Sequence, residues 1–218
     1  MLKTDAQIQR EVQEELRLAP MVDATHIGVE VRHGVVTLTG HVDSYGEKWH
    51  AEQAAQRVSS VKALAVEMQV MFRGSPTVID SEIAHAVKNV LDWNVFIPTN
   101  AVKVMVENGW VTLSGKVPAD YQRRIAEASI RYLTGVRGVS NQLVLKPVVT
   151  GSVLKTDIEA VLQRRAAKEA KGIGINIHEH EVTLTGTVNS LAERDVVSHA
   201  VWDSPGVWLV RNNIEVHA

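Results

Sequence analysis

The chain of 218 residues contains no cysteine and only two phenylalanines. Without cysteine no disulfide can add to the stability that packing provides, and the redox compartment is left open. Lys and Arg number 23 and Asp and Glu number 25, which gives a formal net charge of -2 with both signs spread along the chain. That balance offers no electrostatic footprint for a phosphate backbone, so nucleic-acid binding is not expected.

Long apolar runs are also missing. The first ten residues contain no apolar core of a signal peptide. No stretch approaches the roughly 18 apolar residues that a membrane-spanning helix needs. As written, the sequence predicts a soluble cytoplasmic protein. If it begins after a removed signal, the periplasm or the envelope is the alternative compartment.

What the chain does contain is one unit of about seventy residues written three times. The clearest marks of the repeat are the motifs Val36–Gly40, Val111–Gly115 and Val182–Gly186, which share the pattern Val-Thr-Leu-Thr/Ser-Gly. A second mark lies twenty residues after each closing glycine, at Ser60-Val61, Gly135-Val136 and Gly206-Val207. Spacing that survives while the intervening residues change indicates a repeated fold.

Three small domains are therefore predicted, at 1–73, 77–147 and 152–218, and are called the first, second and third copies below. Proline and glycine interrupt the periodic patterns at 73–77 and 146–152, which places the boundaries there. A domain of roughly 60 to 70 residues buries only about 60% of its unfolded surface, so packing between copies is expected to add stability.

Each copy opens with apolar residues at every fourth position, the spacing of a short amphipathic helix. These positions are Ile8, Val12 and Leu16; Ile83, Val87 and Leu91; and Ile158, Leu162 and Ala166. Thr4-Asp5 and Asp80 are the candidates for the N-cap of the first two helices.

Two alternating runs joined by a short turn follow each opening helix and predict a β-hairpin. Gly34 and Gly109 occupy the first two turns, where a positive φ is expected. A second helix and a final strand complete the copy. The predicted class is α+β, with two helices on one face of a three-stranded mixed sheet in each copy. The glycines predicted to define this fold are Gly34, Gly40, Gly109, Gly115, Gly135, Gly186 and Gly206.

This order of elements, with the Val-Thr-Leu-Thr-Gly motif after a hairpin and a Gly-Val step twenty residues on, resembles the BON domain. The resemblance covers nearly the whole chain and is closest to proteins with three tandem BON domains that are related to an osmotically inducible periplasmic protein. Ser60 stands where glycine is usual. The resemblance implies a non-catalytic protein that associates with phospholipid or with envelope and transport assemblies, in osmotic or envelope stress.

Few residues in the chain suggest chemistry. His178 and His180 are candidates for metal ligands. They are weak candidates, because a tight site needs about four ligands and this hairpin tip is open to water. No nucleophile elbow and no set of carboxylates or histidines repeated between copies is present. We therefore expect neither enzymatic activity nor a cofactor.

Aromatic residues that differ between the copies are the candidate contact residues, because the common fold cannot require them. Trp110 alternates with inward-facing valine and leucine, so it is expected on the sheet face away from the helices. Trp208 aligns with Lys62 and Arg137, just before the final strand. Tryptophan is enriched at protein interfaces and at membrane boundaries, so both predict contact with lipid or a partner. Docking against a neighbouring copy is the alternative.

The loop 93–98 of the second copy is more aromatic than its counterpart in the first. Trp93 and Phe96 either close the end of the helix-sheet sandwich or insert into a lipid interface or partner groove. The basic residues expected to engage an anionic surface beside them are Lys88, Arg123 and Arg124.

The sequence thus predicts a non-enzymatic binding protein whose partner is anionic phospholipid or an envelope protein, with the second copy as the binder. One alternative is an oligomeric, transport-associated component that assembles through sheet faces or the edges of final strands. Another is a small-ion sensor, since the family includes a potassium-binding protein in which a BON domain is fused to a LysM domain. No LysM segment is present here.

Overall fold

A computed structural model describes residues 3–72, 78–146, 173–178, 180–204 and 207–217. Three of the sequence predictions lie outside these residues: the first helix of the third copy, most of the boundary segments, and Gly206. No described helix has the length and apolar character needed to cross a membrane.

The helices and strands follow the predicted order in the first two copies. The first copy contains α1 (Asp5–Leu18), a 3-10 turn (Ala24–His26), β1 (Ile27–Arg32), β2 (Val35–Val42), α2 (Tyr45–Arg57) and β3 (Ala63–Val70). The second contains α3 (Asp80–Trp93), β4 (Val102–Glu107), β5 (Trp110–Val117), α4 (Asp120–Ile130) and β6 (Gly138–Leu145). The described part of the third contains β7 (Gly174–His178), β8 (Glu181–Val188), α5 (Leu191–Trp202) and β9 (Leu209–Val216).

Each copy forms its own three-stranded sheet with the second strand in the centre. In the second copy β4 runs antiparallel to β5, and β6 runs parallel to it, with Trp110 opposite Gly138. The third copy pairs in the same way. A parallel pair needs a long crossover, and the second helix of each copy supplies it. The predicted α+β class with mixed sheets is confirmed.

Among the described residues, the core of each copy lies between one face of its sheet and the helix or helices packed on that face. In the second copy the inward residues of β5 are completely buried, whereas their neighbours along the strand face solvent in part. The residues that meet in this core are Ile83, Val87 and Leu91 from α3, Val111, Leu113 and Val117 from β5, and Ala126 and Ile130 from α4. The apolar positions picked out by their helical spacing in the first copy, Ile8, Val12 and Leu16, are buried in the same way.

The chain groups into two compact units that do not follow the three copies. One unit comprises Met1–His41, Trp49–Gln69 and Thr150–Ala218, and therefore contains most of the first copy together with the third. The other comprises Val42–Lys48 and Val70–Val149, and contains the second copy with short segments from one end of the first. Each unit therefore brings together residues from two different copies.

The hairpin turns of the first two copies use the left-handed conformation at both central residues. His33 and Gly34 have φ of 53° and 79°, and Asn108 and Gly109 have φ of 51° and 77°. Two consecutive positive φ angles define the type I′ turn, whose twist matches the flanking strands. The prediction that glycine here serves a positive φ is confirmed.

The closing glycine of each repeated motif has a second role. Gly40, Gly115 and Gly186 have φ of 112°, 136° and 125°. A Cβ added to Gly40 would lie 2.0 Å from the carbonyl oxygen of His26, and one added to Gly115 would lie 2.1 Å from that of Ala101. Only glycine lets the backbone that enters the first strand approach so closely.

Replacing Gly115 with alanine is expected to destabilise the second copy by at least about 2 kcal/mol, because the new Cβ overlaps a carbonyl oxygen and the φ disfavours any side chain. Thermal denaturation of the whole chain would measure the loss. The exposed neighbour Lys116 is the matched control, and Lys116→Ala should change the melting temperature little. An unchanged melting temperature for Gly115→Ala would contradict the close approach.

Candidate binding surface

The loop after α3 is built around one asparagine. The Asn94 side chain accepts the backbone N–H of Phe96 at 3.0 Å through Oδ1 and donates to the Ser129 hydroxyl at 3.0 Å through Nδ2. The backbone carbonyl oxygen of Asn94 accepts the N–H of Ile97, also at 3.0 Å. These bonds fold the residues after Trp93 into a tight turn against α4, so the loop has a defined conformation.

This turn points one apolar side chain inward and three outward. Ile97 is only 8% exposed and belongs to the core, whereas Trp93, Val95 and Phe96 are 88%, 90% and 55% exposed. The interpretation in which Trp93 and Phe96 close the end of the sandwich is wrong. Ile97 fills that place, since the turn closed by Asn94 directs its side chain into the core. We call residues 93–96 the aromatic loop.

The start of α4 extends the apolar surface. The Tyr121 ring is 42% exposed and meets Phe96 edge to face, with ring centroids 6.4 Å apart. Gln122 fixes the loop from below, since its Nε2 donates to the carbonyl of Phe96 at 2.8 Å and its Oε1 accepts the N–H of Ala119 at 3.2 Å. The sequence analysis did not single out Tyr121 or Val95. The loop 93–98, which was noted for its aromatic residues, contains Val95, so the position of this residue could have been found from the sequence.

The basic residues near the aromatic loop are engaged in ion pairs. Lys88 Nζ lies 2.6 Å from Asp92 Oδ1, and Arg124 Nε lies 2.9 Å from Asp120 Oδ2. Arg123 pairs with the same buried carboxylate. Three cations and two carboxylates leave these five groups with a net charge of +1. The surface is therefore mainly apolar, with a weaker positive character than the three basic residues alone suggest.

Trp110 lies at the other end of β5 from the aromatic loop. It is 48% exposed on the sheet face away from the helices, where the sequence placed it. Its indole N–H donates to the Ser140 hydroxyl at 2.8 Å, and its ring covers Gly138, where an added Cβ would lie 2.3 Å from the ring. Much of this indole is thus used within the sheet.

Trp208 belongs to the third copy and to the other compact unit. Its ring stacks on His180, with centroids 3.7 Å apart and planes inclined by 8°. The four aromatic residues predicted as contacts therefore occupy three places: Trp93 and Phe96 share one loop, and Trp110 and Trp208 are separate from it.

The histidines weighed as metal ligands show no converging set. His178 is the last residue of β7. His180 directly precedes β8, and its ring stacks on Trp208. Within the residues that the structure describes, no group of three or more His, Asp or Glu side chains is placed to hold a metal ion.

A repeated carboxylate that the sequence analysis missed fastens the hairpin to the first helix. Asp5, the first residue of α1, accepts the backbone N–H of His33 at 2.7 Å and that of Gly34 at 3.0 Å. The N–H of His33, followed by that of Gly34, holds the pKa of Asp5 below its usual value.

Asp80 makes the same two bonds in the second copy, to Asn108 at 2.7 Å and Gly109 at 2.9 Å. The assignment of Asp80 as an N-cap is therefore wrong. The N-cap is Ile79, whose N–H donates to the Glu82 carboxylate. The Asp80 carboxylate bonds the hairpin turn instead. The usable signal was an aspartate at the same offset before both turns.

A cleft opens beside this aspartate in each of the first two copies. The cleft of the first copy has a volume of about 370 Å³, and that of the second about 630 Å³. Both are lined by the aspartate, the first core isoleucine of the helix, the hairpin turn, and the basic residue before the final strand, which is Lys62 or Arg137. Phe72, from the end of the first copy, also lines the second cleft.

The fold and these surfaces define a class: a tandem array of small α+β domains that presents an apolar loop. The family model of the BON domain matches residues 4–71, 79–147 and 150–218, which is nearly the whole chain. The chain therefore belongs to the BON domain family, and the resemblance found from the sequence motifs is confirmed.

A curated relative supports this assignment. Osmotically-inducible protein Y of Escherichia coli strain K12 is 30% identical over 129 residues, which are 57% of this chain and 64% of that protein. Among solved structures, the C-terminal domain of CdsD, described as the structural protein of the type III secretion system of Chlamydia trachomatis, aligns over all of both chains. It is 14% identical with a TM-score of 0.28, a likeness too low to support an argument.

The lowered pKa of Asp5 predicts that the stability of the protein depends on pH. Its pKa is lower in the folded protein than in the unfolded chain, so its contribution to stability is present above the unfolded pKa of about 3.9 and is lost as pH falls through the folded value. Asp5→Asn should lower the melting temperature at neutral pH and flatten its decline on acidification.

Parallel profiles for wild type and Asp5→Asn would contradict the proposed bonding of the turn.

Proposed function

We propose that this protein is a BON-family binding protein that attaches to a phospholipid surface through the aromatic loop of its second copy. The observation that supports the proposal is the near-complete exposure of Trp93 and Val95 on a loop whose conformation is fixed by Asn94 and Ile97. A rigid loop that keeps two large apolar side chains in solvent is suited to a partner that removes them from water.

The chemistry of these side chains fits the boundary of a bilayer. Tryptophan favours the headgroup region, where its ring lies in an apolar environment and its N–H meets polar groups. Burying a side chain such as Val95 contributes about 1.5 to 3 kcal/mol. One small loop therefore gives weak and reversible attachment, comparable to that of a single lipid anchor.

The paired charges modify the expected lipid preference. The groups around the loop carry a net charge of +1, and a cation near an anionic membrane contributes about 1 kcal/mol. Anionic phospholipid should thus strengthen binding roughly fivefold. Apolar insertion supplies the larger part.

The relative named for osmotic induction supports a physiological setting. The shared 129 residues at 30% identity make a role in the response to osmotic stress the best-supported context for this protein. The attachment is then expected to matter when the cell envelope is under osmotic load.

Flotation of the purified chain with phospholipid vesicles tests the proposal. Trp93→Ala is expected to weaken binding about tenfold or more, since it removes the most exposed ring. Leu18→Ala is the matched control, because Leu18 ends α1 where Trp93 ends α3 and is itself 59% exposed. It should leave flotation nearly unchanged.

Each variant should keep the wild-type melting temperature, so that lost flotation reports binding. Absence of flotation with both neutral and anionic vesicles at low salt would overturn the phospholipid proposal. A protein partner in the envelope would then be the better assignment.

A further inference from the structure

One edge of the sheet in the second copy is formed by β4, which pairs with β5 on one side. In a hairpin with a two-residue turn, the residues beside the turn exchange both backbone bonds, and so does every second residue from there. The alternate residues of β4, Val102, Val104 and Val106, therefore direct their N–H and carbonyl groups away from β5. Within the residues that the structure describes, no hydrogen bond reaches these outward groups. An edge in this state is a template for pairing with another strand.

The first copy protects the same edge of its own sheet. The side chain of Gln9, the fifth residue of α1, donates through Nε2 to the carbonyl of Val29 at 2.8 Å, on the outward side of β1. Glu30 places a charge in the middle of the strand, where it pairs with Arg32. A covered carbonyl and a central charge are devices by which proteins block pairing at an edge.

The second copy lacks both devices. Val104 is the counterpart of Val29, since each lies opposite the leucine of the repeated motif. The fifth residue of α3 is Ala84, which has no donor to offer the carbonyl of Val104. Met105 takes the place of Glu30 and is 60% exposed. The two copies share the strand and its turn, so they differ in the residues that decide whether the edge can pair.

The outer side chains of β4 are complementary to themselves. Lys103, Met105 and Glu107 alternate along the sheet face away from the helices. Two β4 strands that run antiparallel with Met105 opposite Met105 bring the Lys103 of each molecule opposite the Glu107 of the other. The same register pairs Val104 with Val106, whose outward N–H and carbonyl groups can then exchange backbone hydrogen bonds. Charge, apolar contact and backbone bonding therefore agree on one register.

Lys103 and Glu107 are available for these contacts. Both residues are exposed, and neither makes an ion pair with a described residue. They cannot pair with each other, because four residues of strand hold them roughly 13 Å apart. The first copy has Gly28 and Arg32 at these positions, so its edge strand cannot form the same charge pairs.

We propose that two molecules of this protein associate through the β4 edges of their second copies, in an antiparallel pairing centred on Met105. The partner is a second copy of this chain, and the two sheets join into one sheet of six strands. The interface is isologous, so the association closes at a dimer. A single pair of strands buries little surface, so the dimer is weak and its fraction depends on concentration.

Light scattering of the full chain during size-exclusion chromatography, from dilute to concentrated samples, tests the proposal. The wild-type mass should rise from that of one chain toward that of two and no further. Met105→Glu should weaken the dimer about tenfold, because it places two carboxylates opposite each other at the centre of the interface. The first copy carries Glu30 at this position, so the fold should tolerate the change.

Val144→Glu is the matched control. Val144 lies on the same sheet face but on the opposite edge strand, β6, and is 59% exposed. The variant gains the same charge and should dimerise like wild type. Loss of the dimer in Val144→Glu but not in Met105→Glu would assign the contact to the edge of β6 and overturn the proposal.

Charge reversal tests the register. Lys103→Glu places an acidic side chain opposite the Glu107 of the partner molecule, and Glu107→Lys places a basic side chain opposite its Lys103. Each variant alone should dimerise several-fold more weakly than wild type. An equimolar mixture of the two variants restores opposite charges at both pairs, so heterodimers should form as readily as the wild-type dimer.

A wild-type monomer at the highest soluble concentration would overturn the proposal. So would a dimer that Met105→Glu does not weaken, a mass beyond two chains, or a mixture of the charge variants that regains nothing. Each variant should keep the wild-type melting temperature, so that a lost dimer reports association. Trp93→Ala should lose flotation and still dimerise, so this proposal and the attachment to phospholipid can fail independently.

Discussion

The close approach of two backbones at the motif glycine is the constraint on which each copy depends. The carbonyl oxygen of Ala101 lies where the Cβ of any other residue at position 115 would be, and His26 does the same at Gly40. This contact fixes the point at which the chain enters the first strand, and the aromatic loop ends a few residues before it. At the other end of the sheet, Asp80 fastens the hairpin turn to the start of α3. With both ends held, the residues between 93 and 97 are displayed by a frame that has little freedom to move them.

Periodicity and spacing were sufficient to predict the fold because they report which side chains must be buried. Ile83, Val87 and Leu91 were chosen by their spacing alone, and all three lie in the core. The candidate site could be predicted only in part, since periodicity does not say which residue of an irregular loop turns inward. That choice was made by the side chain of Asn94, which closes a turn and sends Ile97 rather than Phe96 into the core. The partners of polar side chains were equally hidden: Asp80 has the sequence context of an N-cap and instead binds a turn 28 residues away.

Divergence between the copies separates residues that serve the fold from residues that serve contacts. The position before the final strand is basic in two copies and is Trp208 in the third, while its backbone bond to the turn is the same in all three. The second position of the second helix is Gly46, Tyr121 or Ala192, again with the helix unchanged. The fold therefore does not require a particular side chain at these positions, and the side chain at each position suits its own surroundings. Gly46 is small where a neighbouring ring lies against it, whereas Tyr121 is large where the surface is exposed.

The weakness of a single aromatic loop limits what the proposed attachment can achieve alone. Insertion of Trp93 and Val95 would supply only a few kcal/mol, which is marginal attachment for a freely diffusing protein. Any second contact between the same molecule and the membrane would occur at the effective concentration set by the chain that joins the two contacts. Useful attachment would then arise without any single tight site.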